Sequence, residues 1–234
     1  MQVPNHLAVI LDGNRRWARA HGLQPWEGHW EGAKNFERFL NWCLELNIPQ
    51  ISVYILSTEN LNRSKKEVEE LFKIYYEYLK RLEENAKSKE SLLDKYEVKV
   101  RFIGDLSKLP SNVMNLMRKI MTRTAHYQKK MLNIMIAYGS KFELTHVFRK
   151  LLEKAIKIGR VEITEKDIEA NLLVPVPVDL VIRTGGLSRL SNFLLWQASY
   201  AELYTTKTLW PDFSKRELIK AIGWYNSVQK NFGR

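Results

Sequence analysis

The chain has 234 residues, 45% hydrophobic and 27% charged, a balance that suits a globular protein with a substantial core. It contains no run of about 18 apolar residues, no basic stretch leading into an apolar one within Met1–Leu11, and a single cysteine, Cys43; these argue against a membrane span, a signal peptide and an internal disulfide, and leave a reducing, cytoplasmic setting as the expectation. The net charge of +11 points to anionic partners: nucleic acid, an acidic membrane face or phosphorylated small molecules.

In chain order, His6–Leu11 is a short apolar run closed by the loop chemistry of Asp12, Gly13 and Asn14. Helical spacing governs Gly32–Leu46, where Phe36, Phe39, Leu40, Cys43 and Leu44 recur; Cys43 reads there as a small core residue. Ile51–Leu56 is strand-like. Val68–Leu82 is helical, with Leu71, Phe72, Tyr75, Tyr76 and Leu79 on a wide apolar face, and the pattern either runs on to Lys95 or breaks near Ser88. That face is ordinary core or the wall of an apolar cavity. Val98–Ile103 reads as a strand and Ser111–Thr122 as a helix, with Ser111 as N-cap after Pro110. Leu132–Ala137 is a strand, Phe142–Ile158 and Glu165–Asn171 are helices, and Val178–Ile182 is a strand. A short helix over Phe193–Ser199 and a last one over Lys215–Gln229 complete the chain. The alternation predicts an α/β fold around a mostly parallel sheet. No Pro/Gly/Ser-rich linker, repeat or low-complexity tract divides it, so 1–234 reads as a single domain.

Three polar loops follow strands, where an open α/β sheet takes its ligands. The first is Asp12-Gly13-Asn14-Arg15-Arg16-Trp17. Its carboxylate can hold a hard cation such as magnesium, its glycine admits a ligand close to the backbone, and a helix starting near Arg15 would point N–H groups at an anion. The other reading makes Asp12 a helix cap and Gly13 a turn residue. The second loop runs from Ser57 to Arg63 and offers hydroxyls, a carboxylate, amides and a guanidinium, or simply caps the long helix. The third, Arg183 to Asn192, sets two arginines around Gly185-Gly186 and suits a diphosphate; otherwise it is a flexible surface loop. His29 taken alone reads as structural more readily than as functional. The chain lacks His/Cys metal spacing, the phosphate loops of common nucleotide folds and a nucleophile elbow.

Taken together, His6–Trp17, Ser57–Arg63, Asp179–Gln197, Tyr200–Leu203 and Leu209–Phe213 resemble the signatures of the cis-prenyltransferase family, typified by undecaprenyl diphosphate synthase. The likeness covers nearly the whole chain in the same order. It implies a central, mainly parallel six-stranded sheet surrounded by helices, an apolar tunnel for the growing chain with Val68–Leu82 as a wall, and a homodimer. It implies an enzyme that condenses isopentenyl diphosphate with an allylic prenyl diphosphate and depends on Mg2+, a transferase of prenyl groups. By position, Asp12 would hold magnesium on the allylic diphosphate, and Glu202 would complete a metal site. Gly13, Asn14, Arg15, Arg16, Trp17 and His29 would surround that diphosphate. Ser57, Thr58, Glu59, Leu61 and Arg63 would lie between the substrates, with Asn60 as proton acceptor or relay. Arg183, Arg189, Leu190 and Ser191 would hold isopentenyl diphosphate. A lipid product also implies a peripheral membrane contact.

Four departures from the family's pattern bear on substrate identity: Leu187, Pro25, Leu61 and the stretch Ala137–Lys141. They keep open a short-product or non-head-to-tail transferase with an unusual acceptor. A non-catalytic partner subunit would be expected to lose the first loop, which is intact here. A trans-type prenyltransferase is excluded by the missing Asp-Asp-x-x-Asp and the α/β pattern. A nucleic-acid partner is not expected, because the arginines gather at strand ends instead of spreading along a face.

Overall fold

A computed structural model describes residues 2–85, 91–159 and 162–229. Its strands are β1 (His6–Ile10), β2 (Gln50–Tyr54), β3 (Val98–Ile103), β4 (Lys130–Met135), β5 (Leu180–Arg183) and β6 (Glu202–Thr205). They form one six-stranded sheet in the order β3-β4-β2-β1-β5-β6, and every neighbouring pair is parallel. The helices are α1 (Asn14–Ala20), α2 (Pro25–Glu45), α3 (Lys65–Asn85), α4 (Leu92–Lys95), α5 (Ser111–Thr124), α6 (Ser140–Ile158), α7 (Glu165–Asn171) and α8 (Lys215–Ser227). The chain builds outward from β1 to β2, β4 and β3, then crosses back to lay β5 on the other side of β1. The carboxyl ends of β1 and β5 therefore flank the switch point, where such sheets bind ligands.

The pleat sorts the core. Leu7, Val9, Ile51, Val53, Leu132 and Ile134 face one side and pack with Phe39, Leu44, Leu71, Met117 and Leu218 from four helices. Ala8, Ile10, Tyr54 and Met135 face the other and pack with Val174, Val178, Phe193 and Leu194. The second face also buries a polar row: His6 Nε2 and Ser52 Oγ lie 2.7 Å apart, and Asn133 donates to the same hydroxyl at 3.0 Å. The buried Glu143 accepts from Leu173 N–H at 2.7 Å, from Gln197 Nε2 and from the Tyr138 hydroxyl.

Local chemistry explains where expectation and structure part. Helix α2 starts seven residues before Gly32, because Gln24 and Glu27 form a capping box and Pro25 stands at its first position. Gly28 lets α1 lie against it: a Cβ there would sit 2.1 Å from the Asn14 carbonyl oxygen. Ser111 is the first helical residue rather than the cap, since Pro110 precedes it as N-cap without a side-chain bond. The expected helix over Phe193–Ser199 is instead a succession of turns. Ser191, Asn192 and Leu194 have φ of 50°, 63° and 45°, which a right-handed helix cannot accommodate. β6 was not anticipated; it is four half-buried residues at the sheet edge with no alternating pattern. The break expected near Ser88, and the final Asn231–Arg234, lie outside the described residues. Among the described residues no helix is long and apolar enough to cross a membrane.

Candidate active site

Asp12 leaves β1 and is bracketed by two guanidiniums. Arg183, buried at the end of β5, donates through Nη2 to Asp12 Oδ2 at 2.8 Å and through Nη1 to Ser191 Oγ at 2.7 Å. The same Nη1 reaches the Arg189 carbonyl. Arg16 donates to Asp12 Oδ1 at 3.1 Å and to the Gly185 carbonyl at 2.7 Å. Loops one and three are thus locked together through charge-assisted bonds. The turn between β1 and α1 depends on Gly13, whose φ of 119° suits glycine and whose Cβ would lie 2.9 Å from the Leu209 Cα.

A second cluster joins three elements around one oxygen. Glu67 Oε1 lies 2.9 Å from Arg63 Nη1, 3.3 Å from His29 Nε2 and 3.6 Å from Arg15 Nε. Burial pushes His29 below its ordinary value, Arg63 and Arg15 add to that, and Glu67 opposes it. Glu67 is held below the usual carboxylate range by the His29 bond, with the two guanidiniums reinforcing it against burial. The pair is therefore a neutral imidazole on an ionised carboxylate at neutral pH. In the second loop, Ser57 and Asn60 cap one another: Asn60 N–H donates to Ser57 Oγ at 3.1 Å and Ser57 N–H to Asn60 Oδ1 at 3.2 Å.

These groups line two spaces. One of about 320 Å³ is walled by Asp12, Gly13, Asn14, Arg15, Arg16, Arg19, His29 and Arg63. It is a cradle of guanidiniums around a single carboxylate, beside the first-turn amides of α1, which have no acceptor within the helix. The other, of about 870 Å³, has a polar mouth of Asp12, Ser57, Asn60, Arg183, Arg189 and Ser191. Its apolar part lies between the sheet and helices α2, α3, α4 and α5, lined by Phe36, Leu71, Tyr75, Leu79, Leu93, Met117 and Ile134. Of the face expected on α3, Leu71, Tyr75 and Leu79 line this apolar space, joined by Ile74, Tyr78 and Leu82, whereas Phe72 and Tyr76 pack against the core without lining it.

Not every expected residue arrives. Trp17 turns away: its Nε1 donates to Asp212 at 2.8 Å, its ring stacks on His21, and it lines neither space. Thr58 stands behind the mouth, bonded to Glu59 at 3.0 Å. Leu61 and Leu190 pack into the two cores. Glu202 stands apart from the other expected site residues. It pairs with Leu180 at the start of β6, three residues (roughly 10 Å along a strand) from the end that carries Arg183. The register leaves it out of both spaces. Arg19, Glu67 and Asn192 were not among the expected site residues. Glu67 could have been found from its four-residue spacing to Arg63 across a helix start.

Among the described residues no group of three or more His, Cys, Asp or Glu converges. One carboxylate among arginines does not make a cage for a free divalent cation. It does fit a cation that arrives already carrying phosphate oxygens, the usual habit of magnesium.

A family model described as "Putative undecaprenyl diphosphate synthase" matches residues 10–233. The chain belongs to the undecaprenyl diphosphate synthase family. Among its relatives in this family, the tritrans,polycis-undecaprenyl-diphosphate synthase (geranylgeranyl-diphosphate specific) of Methanopyrus kandleri is 41% identical over 100% of this chain and 86% of that one. The isoprenyl transferase of Aquifex pyrophilus is 38% identical over 100% and 97%. A crystal structure of lavandulyl diphosphate synthase from Lavandula x intermedia, in complex with dimethylallyl diphosphate, superposes with a TM-score of 0.90 at 32% identity over 99% of both chains. The chain is therefore a prenyltransferase.

Proposed function

We propose that this chain is a cis-prenyltransferase that condenses isopentenyl diphosphate with an allylic prenyl diphosphate, repeatedly, to a polyprenyl diphosphate, as one catalytic domain. The observation that carries this reading is the junction of an arginine-lined polar mouth with an apolar cavity of about 870 Å³. A transferase adding a single unit needs no such depth, which weighs against the short-product alternative.

The allylic diphosphate is assigned to the smaller cradle. Arg15, Arg16 and Arg63 offer forked donors matched to its oxygens, and His29, whose Nε2 lies against Glu67 and Arg63, forms part of the wall. Asp12 would hold Mg2+, which supplies neutralisation of the departing diphosphate. Isopentenyl diphosphate is assigned to Arg183, Arg189 and Ser191 at the mouth. The C1–O bond of the allylic substrate breaks, and inorganic diphosphate leaves with the electron pair. The double bond of isopentenyl diphosphate closes on C1, and a proton is lost from its C2 to form the new double bond. Asn60 is a feeble base whose Oδ1 already accepts from Ser57, so it relays that proton to a diphosphate oxygen. The lengthened hydrocarbon is drawn into the cavity as its apolar surface leaves water.

A homodimer is part of the proposal. Phe148, Leu152 and Ile156 lie at four-residue spacing on α6 with 50%, 53% and 70% exposure, an uncovered apolar stripe. Sedimentation should give twice the mass of the chain, and a monomer at assay concentrations would refute it.

The activity is tested by supplying the purified protein with Mg2+, labelled isopentenyl diphosphate and, separately, geranyl, farnesyl or geranylgeranyl diphosphate. A ladder of long chains by chromatography is expected. A single short product would favour the alternative, and no product with any starter would overturn the reading.

A further inference from the structure

Asn192 stands where three loops meet. Its φ of 63° is a left-handed conformation that asparagine tolerates better than most residues. Its carbonyl accepts from Ser140 N–H at 2.8 Å and its Oδ1 from Lys141 N–H at 2.9 Å, which ties it to the start of α6. Its Nδ2 donates to Glu59 Oε1 at 3.0 Å, in the turn that carries Asn60. A Cβ on Gly139 would lie 2.5 Å from that Nδ2, so the turn between β4 and α6 leaves room for the amide. Glu59 and Asn192 both line the cavity mouth, beside Asn60 and Ser191.

Two substrates that must react need their half-sites at a fixed separation, and a misplacement of about 1 Å can cost on the order of a hundredfold in rate. Here the half-sites come from different strands. Ser191 follows β5, Arg63 of the allylic cradle ends the loop of Ser57–Asn60 that follows β2, and β1 lies between those strands. Besides the Asn192 bond, Tyr54 at the end of β2 stacks on Phe193 with ring centroids 4.6 Å apart and reaches the Ser191 carbonyl at 3.5 Å. We propose that Asn192 is a positioning residue that sets the spacing of the isopentenyl and allylic half-sites through its bond to Glu59. This rests on the condensation reading above.

Three variants test it by steady-state kinetics on both substrates, with thermal melting alongside. Asn192→Asp keeps the left-handed backbone and the acceptor for Lys141 N–H, but sets a carboxylate against Glu59. Adding Glu59→Gln restores a donor and acceptor with their polarity reversed. Asn192→Gly keeps the backbone and deletes the amide. For Asn192→Asp, the KM for isopentenyl diphosphate should rise about tenfold and kcat should fall, while the allylic KM moves less than about twofold. The double variant should recover most of that loss, as expected for directly coupled partners. Asn192→Gly should reproduce the split, and it carries the test if Asn192→Asp does not fold. Equal changes for both substrates, or no recovery in the double variant, would overturn the spacing role while leaving the activity standing. A wild-type chain that makes no product would instead overturn the activity, and the spacing role with it.

Discussion

The two faces of the sheet come from the same strands and end differently. On the face of Leu7, Val9, Leu132 and Ile134, helices α2, α3 and α5 stand off and leave about 870 Å³. On the other, His6, Ser52 and Asn133 form a buried hydrogen-bonded row, and Glu143 gathers Tyr138, Gln197 and Leu173. The difference lies in which residues the pleat sends to each side. A buried polar group is costly unless bonded, so its partners fix direction and distance. Apolar side chains impose no direction and can line a space that an occupant fills. A void of this size costs stability when empty, so its position against the apolar strand residues argues that it exists for a ligand.

Breaking the bonded face should give the largest effect. Glu143→Ala takes the carboxylate acceptor from the Leu173 N–H and the Tyr138 hydroxyl, and from the Gln197 amide, which keeps only the Val174 carbonyl. The loss should be about 3 kcal/mol or more, read by denaturant or thermal melting, with product length unchanged in the protein that folds. Stability within about 1 kcal/mol of wild type would show that the network does not organise that face. On the cavity face, Met117→Trp should cost at most about 1 to 3 kcal/mol and shorten the product ladder, because Met117 lines the apolar part of the cavity. An unchanged ladder would remove Met117 from the path of the chain.

The smallest effect is a pH dependence of the bonded face. Burial lowers the His6 pKa from its ordinary 6.5, the neighbouring carbonyls and Asp179 only partly opposing it. The unfolded chain then takes the proton first, so stability is full above 6.5 and declines as pH falls below it. His29 acts in the same direction. Melting temperature should slope downward from about pH 6.5 toward 5, and His6→Gln should flatten part of that slope. A flat profile in the wild type would contradict the buried, neutral histidine.

The comparison also explains what could be read from sequence. Strands β1 to β5 announce themselves through β-rich apolar runs, whereas β6, short and half-buried, carries no such pattern. The stretch after Ser191 has helical composition, yet its backbone is committed elsewhere: Leu195 N–H bonds Ser140 Oγ and Val178 N–H bonds the Gln197 carbonyl. At the site, residues at loop starts such as Asp12, Asn60 and Arg183 arrive as expected, because a strand end fixes them directly. Trp17 and Glu202 do not, since the direction of a side chain and the register of an edge strand are decided by contacts far along the chain, Asp212 and Leu180 respectively. Asn192 was invisible as a site residue for the same reason: it acquires its role only from partners on other elements.

The measurement that bears most directly on the central claim is turnover of Asp12→Asn. Asparagine keeps the size of the side chain and one oxygen for the buried Arg183, while removing the charge that would hold the cation. With saturating Mg2+ and both diphosphates, turnover should fall by on the order of 10²–10³-fold, in a protein whose melting shows it folded. Near wild-type turnover in that folded variant would contradict the assignment of the reaction to the junction of β1 and β5.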